Sequence, residues 1–164
     1  MRHCLRAIIA AMPVWVATDV RFGGWAMSET LHIIGAGGHA AVAADCAATA
    51  EYSSMCLYAN QEPSVALPDA WKFFLTDDPV SIIAESGGHG HVAIGDNAVR
   101  QSLLTELIQA GVDCPSLVHM DASVSNFSEL GAGTAIFAGG IVNARARLGQ
   151  GCIVNSGALV EHDC

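Results

Sequence analysis

The chain has 164 residues, a net charge of −9 and only seven lysines and arginines. That balance excludes a broad nucleic-acid surface, which needs clustered basic side chains to neutralise phosphates. The length suits one compact domain or two small ones, and no apolar run reaches the roughly 18 residues of a membrane span.

Residues 1–26 stand apart. Arg2 and Arg6 precede an apolar run from Ala7 to Ala17, broken by Pro13, in the manner of a weak signal peptide. Met27-Ser28-Glu29-Thr30, however, leads directly into a strand-like run, as domain starts do. We read 1–26 as a non-native or disordered extension and expect a cytoplasmic protein. Cys4, Cys46, Cys56, Cys114, Cys152 and Cys164 form neither a C-x-x-C pair nor a zinc spacing. They read as reduced packing thiols, with no metal site.

Residues 27–116 carry the marks of an open α/β layer. Leu31-His32-Ile33-Ile34 is a buried parallel strand. Gly35-Ala36-Gly37-Gly38-His39-Ala40 then turns into an Ala-rich helix over 41–50. Strand, glycine turn and helix form the phosphate-binding context: Gly35 permits the turn and Gly37 lets a ligand reach the backbone. Free N–H groups at the helix start can hold an anion without Lys or Arg. His39 falls where a ligand phosphate or sugar would lie. Met55 to Tyr58 is a second strand. An NAD-type site wants an acid just after it, and Ala59 and Asn60 stand there instead, so NAD is disfavoured while Asn60 can still hydrogen-bond. Lys72 to Leu75 reads as a third strand, and Asp78 caps a short helix from Pro79 to Glu85. Ser86 to Gly90 is a turn and His91 to Gly95 a strand. Asp96 or Asn97 opens a helix from Ala98 to Ala110, with an apolar stripe at Leu103, Leu104, Leu107 and Ile108. Gly95, at a strand end, borders the same crevice as the glycine turn.

From 117 to 164 the period is six. Val118, Val124, Leu130, Ile136, Val142, Leu148, Val154 and Val160 are all aliphatic. Four residues after each come Ala122, Ser128, Thr134, Gly140, Ala146, Cys152, Ala158 and Cys164, all small. No helix or plain strand has this period; a parallel β-helix of hexapeptides does, with both sets facing inward. His162, two past a core aliphatic, then lies off the core near a corner, where a neutral imidazole can take a proton from an amine or hydroxyl. Asp163 or Glu161 beside it can orient the ring and raise its basicity. His89 and His119 lack such neighbours in sequence.

Taken together, the Gly35–Ala40 loop, Ile94-Gly95-Asp96-Asn97-Ala98-Val99-Arg100 and the hexads with Asn155 and Glu161-His162-Asp163-Cys164 resemble the bacterial sugar O/N-acyltransferase family. That family includes sialic acid O-acetyltransferases and UDP-amino-sugar N-acetyltransferases. The resemblance covers about residues 30–164. It implies a Rossmann-like open parallel sheet holding a sugar or nucleotide-sugar acceptor, followed by a left-handed parallel β-helix of hexapeptide repeats. It also implies acetyl-CoA as co-substrate, bound between subunits of a homotrimer. By motif, His162 is the general base and Asp163 its carboxylate, and Gly37, Gly38, His39 and Gly95 contact the acceptor. No residue is matched to acetyl-CoA. Two departures follow. Members using uridine nucleotides tend to carry acids where Ala59 and Asn60 stand, which tells against a UDP-linked acceptor and leaves free sialic acid or another sugar open. The chain also stops at Cys164, within the eighth hexad, and reads as an incomplete coil. The competing expectation is a non-catalytic nucleotide-sugar-binding or scaffold fragment.

Overall fold

The computed structural model describes residues 30–50, 52–64 and 66–164; the extension at 1–26 lies outside them. Apolar runs bounded by glycines and turns build a first layer. β1 (Thr30–Ile34), β2 (Ser54–Ala59), β3 (Trp71–Leu75) and β4 (His89–Val92) form one parallel sheet in the order β3-β2-β1-β4. Leu31 stands opposite Met55 on one side and His89 on the other. Alternate residues of the central strands enter two separate cores. Leu31, Ile33, Met55 and Leu57 face α1 (Gly38–Thr49). Ile34, Cys56, Tyr58 and Val92 join Ile83 of α2 (Pro79–Ser86) and Leu104 and Leu107 of α3 (Asn97–Gln109). Strands covered on both faces explain the unbroken apolar runs, and the arrangement is Rossmann-like.

The composition of α1 follows from where it sits. Ala40, Ala43, Ala44 and Ala47 are fully buried in a cluster that also holds Leu117, Ala135 and Phe137. The helix is pressed between the sheet and the segment beyond residue 116, so it needs small side chains on two sides. Alanine supplies them and is also the best helix former. Each fully buried Leu or Ile of this cluster adds roughly 1.5–3 kcal/mol.

Eight strands of two residues follow at steps of six: β5 (Leu117–Val118), β6 (Ser123–Val124), β7 (Glu129–Leu130), β8 (Ala135–Ile136), β9 (Ile141–Val142), β10 (Arg147–Leu148), β11 (Ile153–Val154) and β12 (Leu159–Val160). Parallel pairs join strands eighteen residues apart, such as Val118 with Ile136 and Ile136 with Val154. Three sheets result, β5-β8-β11, β6-β9-β12 and β7-β10. The second residue of each strand is the hexad aliphatic, and Ile136, Val142 and Val154 are buried in the interior with Val118, Val124, Leu130, Leu148 and Val160 packed around them. Thr134 and Ala146, of the small set, are fully buried. The first residue of each strand faces outward. On β5-β8-β11 these are Leu117, Ala135 and Ile153, covered by α1 and the sheet. On β7-β10 they are Glu129 and Arg147, an exposed ion pair at 3.4 Å.

Several expectations are corrected. α1 begins at Gly38, not 41, so Gly38, His39 and Ala40 form its first turn. β4 runs His89–Val92 rather than His91 to Gly95, because its register with β1 and a bridge from His89 to Asp113 pull it forward. Gly90 there leaves no room for a side chain, with Val112 2.9 Å from where a Cβ would stand. Cys164 is exposed rather than inward, since no further turn of the described chain lies over it. The other described cysteines are also free thiols, with Cys46, Cys56 and Cys114 buried.

Candidate active site

Chemistry-bearing residues gather at two places. The first is the crevice beyond the carboxyl ends of β2, β1 and β4. Gly35 has φ +128°, and a Cβ on it would meet the Ala93 carbonyl oxygen at 2.7 Å, so only glycine lets β1 and β4 end this close together. Gly37 and Gly38 are exposed, with nothing within 4 Å of either Cβ position. Gly37 stands at the cap position before α1, which therefore has no side-chain cap. The first-turn N–H groups of α1 thus have no side-chain acceptor, and the positive end of the helix dipole lies beside the exposed Gly37 and Gly38. Asn60 and Gly95 are exposed at the ends of the neighbouring strands.

His39 is turned toward the coil. Its ring stands edge-on to Phe137, with centroids 5.5 Å apart. Its Nε2 is buried and has no hydrogen-bond partner, and so is Nδ1 of His91. Burial first, then the Arg100 guanidinium, lowers the His39 pKa. His91 is pushed down to about 4 by burial, with His39 and Arg100 adding to it. Both rings are neutral at pH 7, and His39 meets an incoming ligand as a polar, uncharged group.

Arg100 holds this crevice to the coil and was assigned no role from sequence. Asp96 caps α3 by accepting from the Ala98 and Val99 amides, both at 2.9 Å, and that fixes the first turn from which Arg100 reaches inward. Its Nη1 donates to the carbonyls of Ile94 (2.8 Å) and Gly95 (3.0 Å), and its Nε donates to the carbonyl of Gly151 (2.8 Å). Only its place in the Ile94–Arg100 run singled it out beforehand. An arginine in the first turn of a helix otherwise reads as a surface residue.

The second place is the corner between β6-β9-β12 and β7-β10. His162 is exposed there, and its Nδ1 lies 2.6 Å from Oδ2 of Asp163. A carboxylate only accepts, so Nδ1 carries a hydrogen, and in the neutral ring the lone pair is then on Nε2. Asp163 is also gripped by Arg145, Nε to Oδ1 at 2.5 Å and Nη2 to Oδ2 at 2.7 Å. Arg145 first, and His162 second, hold the Asp163 carboxyl down to about 2. Glu161 does not touch the imidazole; it accepts from Asn143 Nδ2 at 3.0 Å. A groove of about 500 Å³ beside this corner is lined by Phe127, Glu129, Arg145, Arg147, Asp163 and Cys164. Its two guanidiniums are both matched by carboxylates.

One chain does not bring the two places together. α1 and α3 pack on the β5-β8-β11 side of the coil: Leu117 and Ala135 lie under α1, and the Met120 amide donates to Thr49 Oγ1 at 3.3 Å. His162 follows β12 and lies across the coil from that side. The sheet next to it presents Ile141 and Leu159 (54% exposed) outward, and Met120 (73%) and Phe127 (79%) stand exposed on the turns either side of β6. His89, which has no acid beside it in sequence, has one in space: its Nε2 is 3.6 Å from Asp113 and its Nδ1 2.7 Å from the Tyr52 hydroxyl. His119 accepts from the Asp121 amide at 3.0 Å. Both histidines are engaged locally and away from the glycine turn. No helix among the described residues is long and apolar enough to cross a membrane.

Residues 30–107 match the family described as the PglD N-terminal domain. The acetyltransferase domain of PglB from Neisseria gonorrhoeae, in complex with acetyl coenzyme A, superposes with a TM-score of 0.77 and 29% identity, covering 84% of this chain and 67% of that one. PerB from Caulobacter crescentus, in complex with CoA and GDP-perosamine, gives a TM-score of 0.68 and 32% identity, covering 82% of this chain and 64% of that one. The present chain thus spans about two thirds of the length of these structures.

Proposed function

Given that the chain belongs to the sugar acyltransferase family, with a PglD N-terminal domain at residues 30–107, we propose that it transfers an acetyl group from acetyl-CoA to the amine or hydroxyl of a nucleotide-linked amino sugar or sialic acid. The observation that carries this reading is the imidazole of His162. It is exposed on the coil, its Nδ1–H is engaged by Asp163 and its Nε2 is free to accept a proton. The acceptor amine or hydroxyl loses its proton to Nε2 as its nitrogen or oxygen bonds to the thioester carbonyl carbon. The carbon–sulfur bond then breaks, and the proton on Nε2 goes to the departing thiolate. A positioned base of this kind contributes about 10²–10⁴ in rate.

The coil is read as a left-handed parallel β-helix of hexapeptide repeats, in keeping with the eighteen-residue pairing interval and three sheets. Gly37, Gly38, His39, Asn60 and Gly95 are proposed to hold the acceptor. Open space at the glycines, the uncapped start of α1 and the orphaned Nε2 of His39 support that assignment. A diphosphate suits the helix N-terminus, and a guanosine-linked sugar, as in PerB, is a natural first acceptor to try. Because His162 lies across the coil from the glycine turn of its own chain, the complete site is proposed to form between copies in a homotrimer. The apolar face of Ile141 and Leu159 is then the surface a second copy covers. The protein acts in the cytoplasm, where sugar nucleotides and acetyl-CoA are found.

Release of the CoA thiol tests the activity. It is followed with a thiol reagent in the presence of acetyl-CoA and GDP-linked amino sugar, UDP-linked amino sugar or sialic acid. Acceptor-dependent release supports the proposal. Tight nucleotide-sugar binding without release from any acceptor would point instead to a binding or scaffold role.

A further inference from the structure

We propose that Arg145 is a positioning residue that fixes the tautomer of His162 through Asp163; this rests on His162 being the base. The turns of the coil carry the observation. Residues 133, 139, 145, 151, 157 and 163 recur at steps of six, and all have φ between +62° and +69°. Gly133, Gly139, Gly151 and Gly157 fill four of these left-handed positions. The other two hold Arg145 (φ +65°) and Asp163 (φ +62°). Aspartate tolerates this conformation, but a long side chain such as arginine rarely adopts it. The two exceptions stand eighteen residues apart, one above the other, and are joined by two hydrogen bonds. The Asp163 oxygen that receives Arg145 Nη2 is the same one that receives His162 Nδ1.

The chemistry explains why a strained residue would be kept there. A general base working through Nε2 must carry its hydrogen on Nδ1, and in water a neutral imidazole prefers the opposite tautomer. An acceptor fixed at Nδ1 reverses the preference, provided the carboxylate cannot swing away. Asp163 is an exposed side chain on a turn, and Arg145 grips both of its oxygens. The guanidinium also pairs with the carboxylate charge, which holds Asp163 in place as an acceptor for Nδ1. The other charged groups on this corner are spoken for: Glu161 is tied to Asn143 and Arg147 to Glu129, and Cys164 is a free thiol at the groove edge.

The test uses Arg145→Gly, Arg145→Lys and Asp163→Gly. Glycine is the residue of four other turns, so both glycine variants remove a side chain without straining the coil. Long-range ¹H–¹⁵N correlation spectra of histidine-labelled protein above pH 8 report the tautomer directly. The unsubstituted protein should show His162 protonated on Nδ1. Asp163→Gly and Arg145→Gly should both move it toward the Nε2–H form, and Arg145→Lys should restore part of the Nδ1–H population. In acetyl transfer, Arg145→Gly should lower kcat several-fold with little change in the acceptor KM, and Arg145→Lys should recover part of the loss. Unchanged spectra in Arg145→Gly, with or without a change in Asp163→Gly, would overturn the proposal. A tautomer shift in a protein that transfers no acetyl group would sink the reaction and leave the role of Arg145 standing.

Discussion

Replacing Arg100 by methionine keeps the length and apolar stem of the side chain and removes every hydrogen bond that ties the sheet domain to the coil at this point. The cost can be worked through partner by partner. Gly151 is buried, and its carbonyl loses the Nε donor at 2.8 Å with no water to replace it, which costs about 1–3 kcal/mol. The half-buried Ile94 carbonyl loses Nη1, for roughly 1 kcal/mol more. Gly95 and Asn97 are exposed and regain water. Arg100 is only 8% exposed, so relief from burying a guanidinium offsets part of the loss. The net is a destabilisation of about 2–4 kcal/mol, read as a fall in unfolding free energy from urea titrations followed by far-UV circular dichroism. Amide exchange should quicken at Gly151, whose N–H bonds to Ala132 at 2.9 Å. Arg100→Lys should recover little, since an ammonium cannot span carbonyls on both sides of the junction. A change below about 0.5 kcal/mol in Arg100→Met, the size of an ordinary surface substitution, would refute the idea that this side chain joins the two parts.

The remaining predictions concern acid, the turn and the assembly. His91 is held down to about 4 in the folded protein, so the unfolded chain binds its proton first as pH falls. Stability from this group is whole above about pH 6.5 and is lost as pH falls toward 4, by about 3 kcal/mol in all; His91→Leu should flatten that part of the urea midpoint–pH curve, and an unchanged slope would rule the group out. Gly35→Ala puts a Cβ 2.7 Å from the Ala93 carbonyl at φ +128° and should cost about 3 kcal/mol or more in the same titration; a cost under 1 kcal/mol would mean the β1–β4 junction opens freely. Gly37→Trp should fill the crevice without disturbing the fold, because nothing lies within 4 Å of its Cβ position. Mixing inactive Gly37→Trp and inactive His162→Ala proteins through dissociation and reassembly should restore acetyl transfer, since each supplies the half the other lacks; a mixture as inactive as its components would place the whole site in one chain.

Hexad residues were legible in the sequence because each one obeys the same steric rule eighteen residues from its neighbours. An aliphatic at Val118 predicts one at Ile136 and Val154, and the coil pairs these positions. The glycine turn was legible because Gly35 cannot be anything else. Where α1 begins was not, since Gly38 and His39 look like loop residues until the helix is seen to need no side-chain cap. The start of β4 was missed because His89 and Gly90 fit a turn as well as a strand, and only the register with β1 and the close approach of Val112 decide between them. Long-range polar contacts left no local trace at all. Arg100 to Gly151, His89 to Asp113 and Arg145 to Asp163 each join residues 18 or more apart. That His162 faces away from its own glycine turn follows from which outward row α1 covers. The aliphatic outer residues Leu117, Ala135 and Ile153 hint at this, but Ile141 and Leu159 are just as apolar, and sequence alone cannot say which row meets the helix and which a second copy.

The most direct measurement is the turnover number for acetyl transfer in His162→Ala, set beside that of the unsubstituted protein at saturating acetyl-CoA and acceptor. With Nε2 gone, the account predicts a fall in kcat of about 10²–10⁴ and little change in acceptor affinity, because His162 and the glycine turn do separate jobs. A kcat within about twofold of the parent would mean that the acceptor's proton leaves by another route, and His162 would be an ordinary surface histidine.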